Sequence, residues 1–322
     1  TKTACRGGPG TSMASTLVGT HADAPNVTHI DTQTIEYKVE PALVDPKRSK
    51  VKVAAITTGA TQGCDLFSLD KNHSCALEIG LLELAGTKGA DVAVLPEEFF
   101  HRRGAPPLPD CDMSPGMNCS AVNTLGAIAK KHSMYIVFGM RAAAPPGDPY
   151  PADPERGNRK LGYNTDVILD RQGEMVGYYR KAWPCCPGPD GASMDDGYPS
   201  RELVKTFDLD FGRVGLQTCF DLNFMDTWHQ LYAMHTDIVF WPSAYGGGMP
   251  LRAYAKLYHY AIVPAGWGDI TDMTGQVAEG LSQEASGVFT ATLDLDSTMI
   301  PTTTTRHNPQ HPDAPDIWMR QP

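Results

Sequence analysis

Between residues 51 and 296 the apolar positions of the chain switch repeatedly between strand-like and helix-like spacing. "VKVAAIT" is a short apolar run of the kind a buried strand gives, and it follows a polar linker, "DPKRSK" (45–50). "SLDKNHSCALEIGLLELAGTKGA" sets Leu77, Leu81, Leu84 and Ala85 on one helical face, which predicts a helix capped near Ser68 or Asp70 and closed around Gly86. "DVAVLPEEFF" is a second apolar strand. "NCSAVNTLGAIAKKHSM" returns to helical spacing, with Asn118 as its N-cap. "YIVFGMRA", "YNTDVILD" and "EMVGYYRKAW" read as strands, the last two joined by a turn at Arg171-Gln172-Gly173. In "GRVGLQTCFDLNFMD" Val214, Leu216 and Thr218 alternate. Asp221 and Asn223 then supply helix-starting oxygens ahead of Trp228, Leu231 and Tyr232. "TDIVFWPSA", a helix over 250–261, "AIVPAGWG", a hairpin at "ITDMTGQVAEG" and the strand "GVFTATLDLD" complete the series.

Apolar strands alternating with amphipathic helices predict an α/β protein whose helices pack on sheets. The hairpins predict mixed sheets rather than purely parallel ones. The flanks differ in kind. Residues 1–50 form an N-terminal extension, irregular except for one extra strand at "TIEYKVEP", where Ile35, Tyr37 and Val39 alternate. Residues 51–300 are the repeating domain, and 301–322 are a polar, Pro/Thr-rich C-terminal arm ending near Trp318 and Met319. An extra strand needs an edge to pair with, and an arm carrying a terminal aromatic needs a surface, so the ends predict a homodimer or larger homo-oligomer.

Composition narrows the function. The 322 residues are 41% hydrophobic, ordinary for a globular chain, and carry a formal net charge of −10 without a Lys/Arg-rich run, which argues against nucleic acid as a partner. The sequence has no apolar stretch long enough for a membrane span. Asn26-Val-Thr, Asn72-His-Ser and Asn118-Cys-Ser are glycosylation sequons, an enrichment over chance, and eight cysteines accompany them. Together they point to a secreted or extracellular glycoprotein with some disulfides, with the cytoplasm as the alternative. Cys111 and Cys119 bracket a short loop and form the candidate local pair. Neither "HRRG" (101–104) nor the "CC" at 185–186 has metal-ligand spacing, so no metal and no cofactor is expected.

Reactive side chains stand at three predicted strand ends. Glu97 and Glu98 follow "VAVLP", Arg180 and Lys181 follow "GYY", and Cys219 follows "GLQT". Taken singly, a carboxylate after a strand is a solvated turn residue, a lysine before an aromatic snorkels, and a cysteine packs. Ligands of α/β sheets bind at strand ends, so the recurrence carries more weight than any one residue. The three types are chemically sufficient for acyl transfer. A thiol must lose its proton to attack, a carboxylate can take that proton and return it to a leaving amine, and an ammonium with the backbone N–H of Phe220 can stabilise the oxyanion.

The motifs "DVAVLPEEFF", "GYYRKAWP" and "GRVGLQTCFDLNF", in this order and spacing, resemble the nitrilase superfamily of carbon–nitrogen hydrolases over about Val51 to Asp296. The resemblance implies a four-layer α-β-β-α sandwich, dimerised through helices and in some members extended into filaments. It implies Glu97, Lys181 and Cys219 as the catalytic residues. Phe220-Asp221 after the cysteine, and "YRKAWPCCPGPDG", lean towards a small amide substrate rather than a nitrile. The family places a second glutamate beyond the lysine; this chain has Asp190 nearby and no glutamate until Glu202. "YGGGMP" lacks the ending of a phosphate loop, and by resemblance it lines the pocket, with Tyr245 at its start. The leading expectation is therefore an amidase-type hydrolase working through a cysteine thioester. A structural or filament-forming protein of the same fold is the rival, and a nitrile hydrolase the further alternative.

Overall fold

The computed structural model describes residues 50–58, 64, 75–100, 107–148, 162–185, 197–200, 202–281 and 286–296. Ser68, Asp70, Asn26, Asn72, Asp190, the "TIEYKVEP" segment and the C-terminal arm lie outside them. Contacts divide the chain at Glu40/Pro41, and the described residues all belong to the second unit.

The strands are β1 (Lys50–Thr58), β2 (Val92–Val94), β3 (Tyr135–Ala142), β4 (Tyr163–Leu169), β5 (Met175–Arg180), β6 (Thr206–Leu209), β7 (Gly212–Leu216), β8 (Ile238–Pro242), β9 (Ala261–Ala265), β10 (Asp269–Thr271), β11 (Val277–Gly280) and β12 (Ser286–Asp294). The helices are α1 (Ala76–Thr87), α2 (Ser120–His132), α3 (Met225–Ala233) and α4 (Gly248–Tyr258). The strands form two six-stranded sheets, ordered β12-β1-β2-β3-β4-β5 and β11-β10-β9-β8-β7-β6. Each has a parallel centre, β1-β2-β3 and β7-β8-β9, with antiparallel strands on both sides.

The alternation within single strands explains the layering. On β1, Val51, Val53 and Ala55 point into a core shared with Val214, Leu216, Phe240 and Val263 of the other sheet. Ala54 and Ile56 point the opposite way, into a core under α1 and α2 with Leu82, Ala85, Leu125 and Ala129. A third core lies under α3 and α4, where Trp228 and Leu231 meet Val239, Trp241 and Ile262. Both faces of the central strands are buried, so they read as continuous apolar runs rather than half-polar alternation. The result is an α/β sandwich in four layers, helices–sheet–sheet–helices.

Three local readings need correction. α1 buries Glu78, Leu82 and Ala85, with Leu81 packed against the same core, and leaves Leu77 and Leu84 exposed, so of the expected face only Leu81 and Ala85 turn inward. The disulfide Cys64–Cys75 sits immediately before Ala76 and sets where the helix can start, a constraint that periodicity does not contain. α2 has Cys119 at its N-cap rather than Asn118. The orphan N–H of Ser120 is satisfied by Asp110 Oδ2 at 2.8 Å, across the Cys111–Cys119 disulfide, while Asn118 Oδ1 accepts from Asn123 Nδ2. Residues Cys219–Asn223 form a 3-10 turn, and α3 starts only at Met225. The short edge strand β6, "TFDL", has too few residues to show a period.

Candidate active site

Parallel pairing among β1, β2 and β3, followed by antiparallel β4 and then β5, brings the carboxyl ends of β2, β3 and β5 to one edge of their sheet. In the facing sheet the carboxyl ends of β7, β8 and β9 also share one edge. Glu97 follows β2, Lys181 follows β5 and Cys219 follows β7.

Glu97 and Lys181 make a buried ion pair: Nζ lies 2.7 Å from Oε1. Asn164 Nδ2 donates to the same oxygen at 2.8 Å, and the backbone N–H of Ala244, beyond β8, donates to Oε2 at 3.1 Å. A carboxylate offers about four lone-pair sites. Among the described residues three donors reach Glu97, two on Oε1 and one on Oε2.

Cys219 is a buried thiol outside the disulfides. Its φ is 45°, in the left-handed region, where a non-glycine residue costs about 1–3 kcal/mol and persists only if its surroundings hold it. They do so on both sides. Trp241 Nε1 donates to Cys219 O at 3.2 Å. The preceding Thr218 donates its N–H to Asp221 Oδ2 at 2.9 Å and its hydroxyl to Asp166 Oδ2 at 2.5 Å. A sharp turn of this kind after a strand projects its side chain from the end of the sheet. Glu98 also has a positive φ, 48°, and its carboxylate is held by Arg141 at 2.6 Å.

Tyr245 follows β8, and its ring meets Trp241 edge-on. Its phenol is pushed up to about 12, first by burial and then by the charge of Cys219; a hydrogen bond from Asn223 and the charge of Lys181 oppose this, and Glu97 adds to it. Asp166 is fully buried, and burial lifts its carboxyl well above the usual range, with Glu97 and Asp221 adding repulsion against Thr218 and Lys181. Burial also raises Asp221, to about 6, despite Lys181 and three hydrogen bonds. Of the other sequence candidates, Phe220 follows the thiol in the same turn, and its ring meets Phe224 edge-on. Glu202 is exposed and pairs with Lys205 at 3.3 Å. Asn164 and Asp166 were not singled out by sequence reading, although the polar "NTD" inside the apolar "YNTDVILD" was the available signal. Among the described residues no cluster of three or more His, Cys, Asp or Glu could hold a metal ion, and no helix is long and apolar enough to cross a membrane.

The family model for carbon-nitrogen hydrolases matches residues 52–299. The chain belongs to the carbon–nitrogen hydrolase family of the nitrilase superfamily. Among curated relatives of this carbon–nitrogen hydrolase, a pantetheinase of Canis lupus familiaris is 29% identical over 201 residues, 56% of this chain and 37% of that protein. The chain thus spans little more than a third of the length of that relative. An omega-amidase of Homo sapiens is 28% identical over 201 residues, 61% of this chain and 62% of the other. Among solved structures, a mutant amidase from Nesterenkonia sp. AN1, with the acetamide moiety of fluoroacetamide added covalently at its active-site cysteine, superposes with a TM-score of 0.56. It is 18% identical, covering 76% of this chain and 90% of that one. At that identity the likeness speaks for the nitrilase-type fold alone.

Proposed function

We propose that this carbon–nitrogen hydrolase cleaves a small amide through a thioester on Cys219. The observation that carries the reading is the buried Lys181–Glu97 pair, 2.7 Å apart, at the strand ends where Cys219 is held at a positive φ. Glu97 takes the thiol proton, and the thiolate attacks the amide carbon. The developing oxyanion is met by the Lys181 ammonium and the Phe220 N–H. The C–N bond breaks as Glu97 returns its proton to the departing amine. Water, deprotonated by Glu97, then attacks the thioester, and the acid leaves as the thiol is regenerated.

Likeness to a pantetheinase and to amidases supports an amide and puts pantetheine in the substrate panel. The same reading treats residues 1–50 and 301–322 as additions to the hydrolase domain. The disulfides Cys64–Cys75 and Cys111–Cys119, and the disulfide-bonded Cys185, support passage through an oxidising compartment and a glycosylated, extracellular protein. The test is release of ammonia or amine from a panel of small amides, pantetheine and nitriles, with the mass of the Cys219 peptide read after each. Turnover with an acyl adduct on Cys219, both lost in Cys219→Ala, is expected. No turnover and no adduct across the panel overturns the proposal, and turnover of nitriles alone replaces the amide by a nitrile.

A further inference from the structure

Lys181 and Cys219 stand on different sheets, so something must hold their two strand ends in register. Asp221, fully buried, does so with one carboxylate. Its Oδ1 accepts the backbone N–H of Trp183 at 2.9 Å, two residues beyond the lysine. Its Oδ2 accepts the backbone N–H of Thr218 at 2.9 Å, one residue before the cysteine. The hydroxyl of Tyr179, on β5, donates to Oδ2 at 2.9 Å and accepts the N–H of Ala182 at 3.2 Å.

We propose that Asp221 is a positioning residue: its carboxylate clasps the cysteine turn to the lysine-bearing strand end, and this clasp sets the reactivity of the Cys219 thiol. The proposal rests on the functional reading above. Among the other contacts to this turn are the Asp166–Thr218 hydroxyl bond and the Trp241–Cys219 carbonyl bond. Neither reaches the backbone beside Lys181. Asp221 touches the backbone of both segments directly, beside the stacking of the Trp183 and Phe224 rings, whose centroids are 4.0 Å apart. A buried carboxylate is a poor choice for stability, since replacing buried ionic groups by neutral ones is often harmless or stabilising. A carboxylate here is explained by geometry: a planar acceptor with two oxygens satisfies donors from two sheets at once, which an apolar side chain cannot do.

The test needs no substrate. The full chain is treated with iodoacetamide at pH 7.5, and the second-order rate of Cys219 alkylation is followed by peptide mass in the wild type, Asp221→Asn and Tyr179→Phe, beside thermal melting. In Asp221→Asn one oxygen becomes an amide that cannot accept from Trp183 or Thr218. The expected result is an alkylation rate about tenfold lower in Asp221→Asn and a smaller loss in Tyr179→Phe, as misplacement of reacting groups gives, with melting temperatures close to that of the wild type. Rates within about twofold of the wild type in folded variants overturn the proposal, because a purely structural clasp moves melting and leaves thiol chemistry alone. If Asp221→Asn does not fold, Tyr179→Phe carries the same criterion. A wild-type thiol no faster than a simple free thiol overturns the nucleophile reading itself; a fast wild-type thiol with unaffected variants overturns only the positioning role.

Discussion

Lys181 has no side-chain surface in contact with water, and Glu97 retains 5% of its own. Two such charges are tolerable only together, because removing one partner strands the other without solvent. Lys181→Ala is therefore expected to abolish turnover and to cost about 3–5 kcal/mol of stability. Adding Glu97→Gln should recover most of that stability and none of the activity; denaturant unfolding beside the amine-release assay checks both. Asp221 gives a pH dependence of defined sign. Its carboxyl is near 6 in the folded chain against 3.8 unfolded, so the native state binds the extra proton between those values. Its contribution to stability is fully present below about pH 4 and is lost as pH rises through about 6, an effect of about 3 kcal/mol. Melts of wild type and Asp221→Asn from pH 4 to 7.5 should show the wild type losing ground to the variant over that window; parallel curves would contradict it.

At the scale of elements, the turn carrying Glu97 depends on a glycine it does not contain. A Cβ on Gly139, in β3, would lie 2.7 Å from Glu98 N and 3.2 Å from the Glu97 carbonyl carbon. Backbone cannot yield as a side-chain tip does. Gly139→Ala should push the turn off the sheet, lower kcat more than it raises KM, and cost about 1–3 kcal/mol, as overpacking does. An unchanged kcat would show that the turn accommodates the methyl group. The helices show where pattern reading succeeds and fails. The extent of α2 was legible from its 3.6-residue period, but its cap was not, since Asp110 reaches Ser120 only because a disulfide folds the loop back. In α1 the leucines outnumber the positions the core needs, so Leu77 and Leu84 stay exposed while Leu81 and Ala85 face inward, and spacing alone sets the face only in part.

At the scale of the whole molecule, Met225, Tyr232 and Met234 on and just after α3, and Met249 and Leu257 on α4, leave large apolar side chains exposed on the outer helical layer. With the terminal segments argued above, they support a homo-oligomer. Sedimentation should give at least twice the 34.9 kDa chain mass, and a monomer at micromolar concentration would refute this. The sequence by itself determined an α/β protein with helices on mixed sheets, because a period of two or a continuous apolar run against a period of 3.6 is a local property of the chain; the four layers followed only from the family resemblance. It also marked Glu97 with Glu98, Arg180 with Lys181, and Cys219, because each stands at the end of such a run, and the family resemblance picked Glu97, Lys181 and Cys219 from among them. Only the tertiary structure decided their surroundings. Asn164 and Ala244 reach Glu97 across 67 and 147 residues of chain, and Asp221 reaches Trp183 across 38. Contacts of that range depend on which strands pair and how two sheets face each other. No window of sequence contains them, and the polar residues that make them are indistinguishable, read along the chain, from ordinary turn and strand residues.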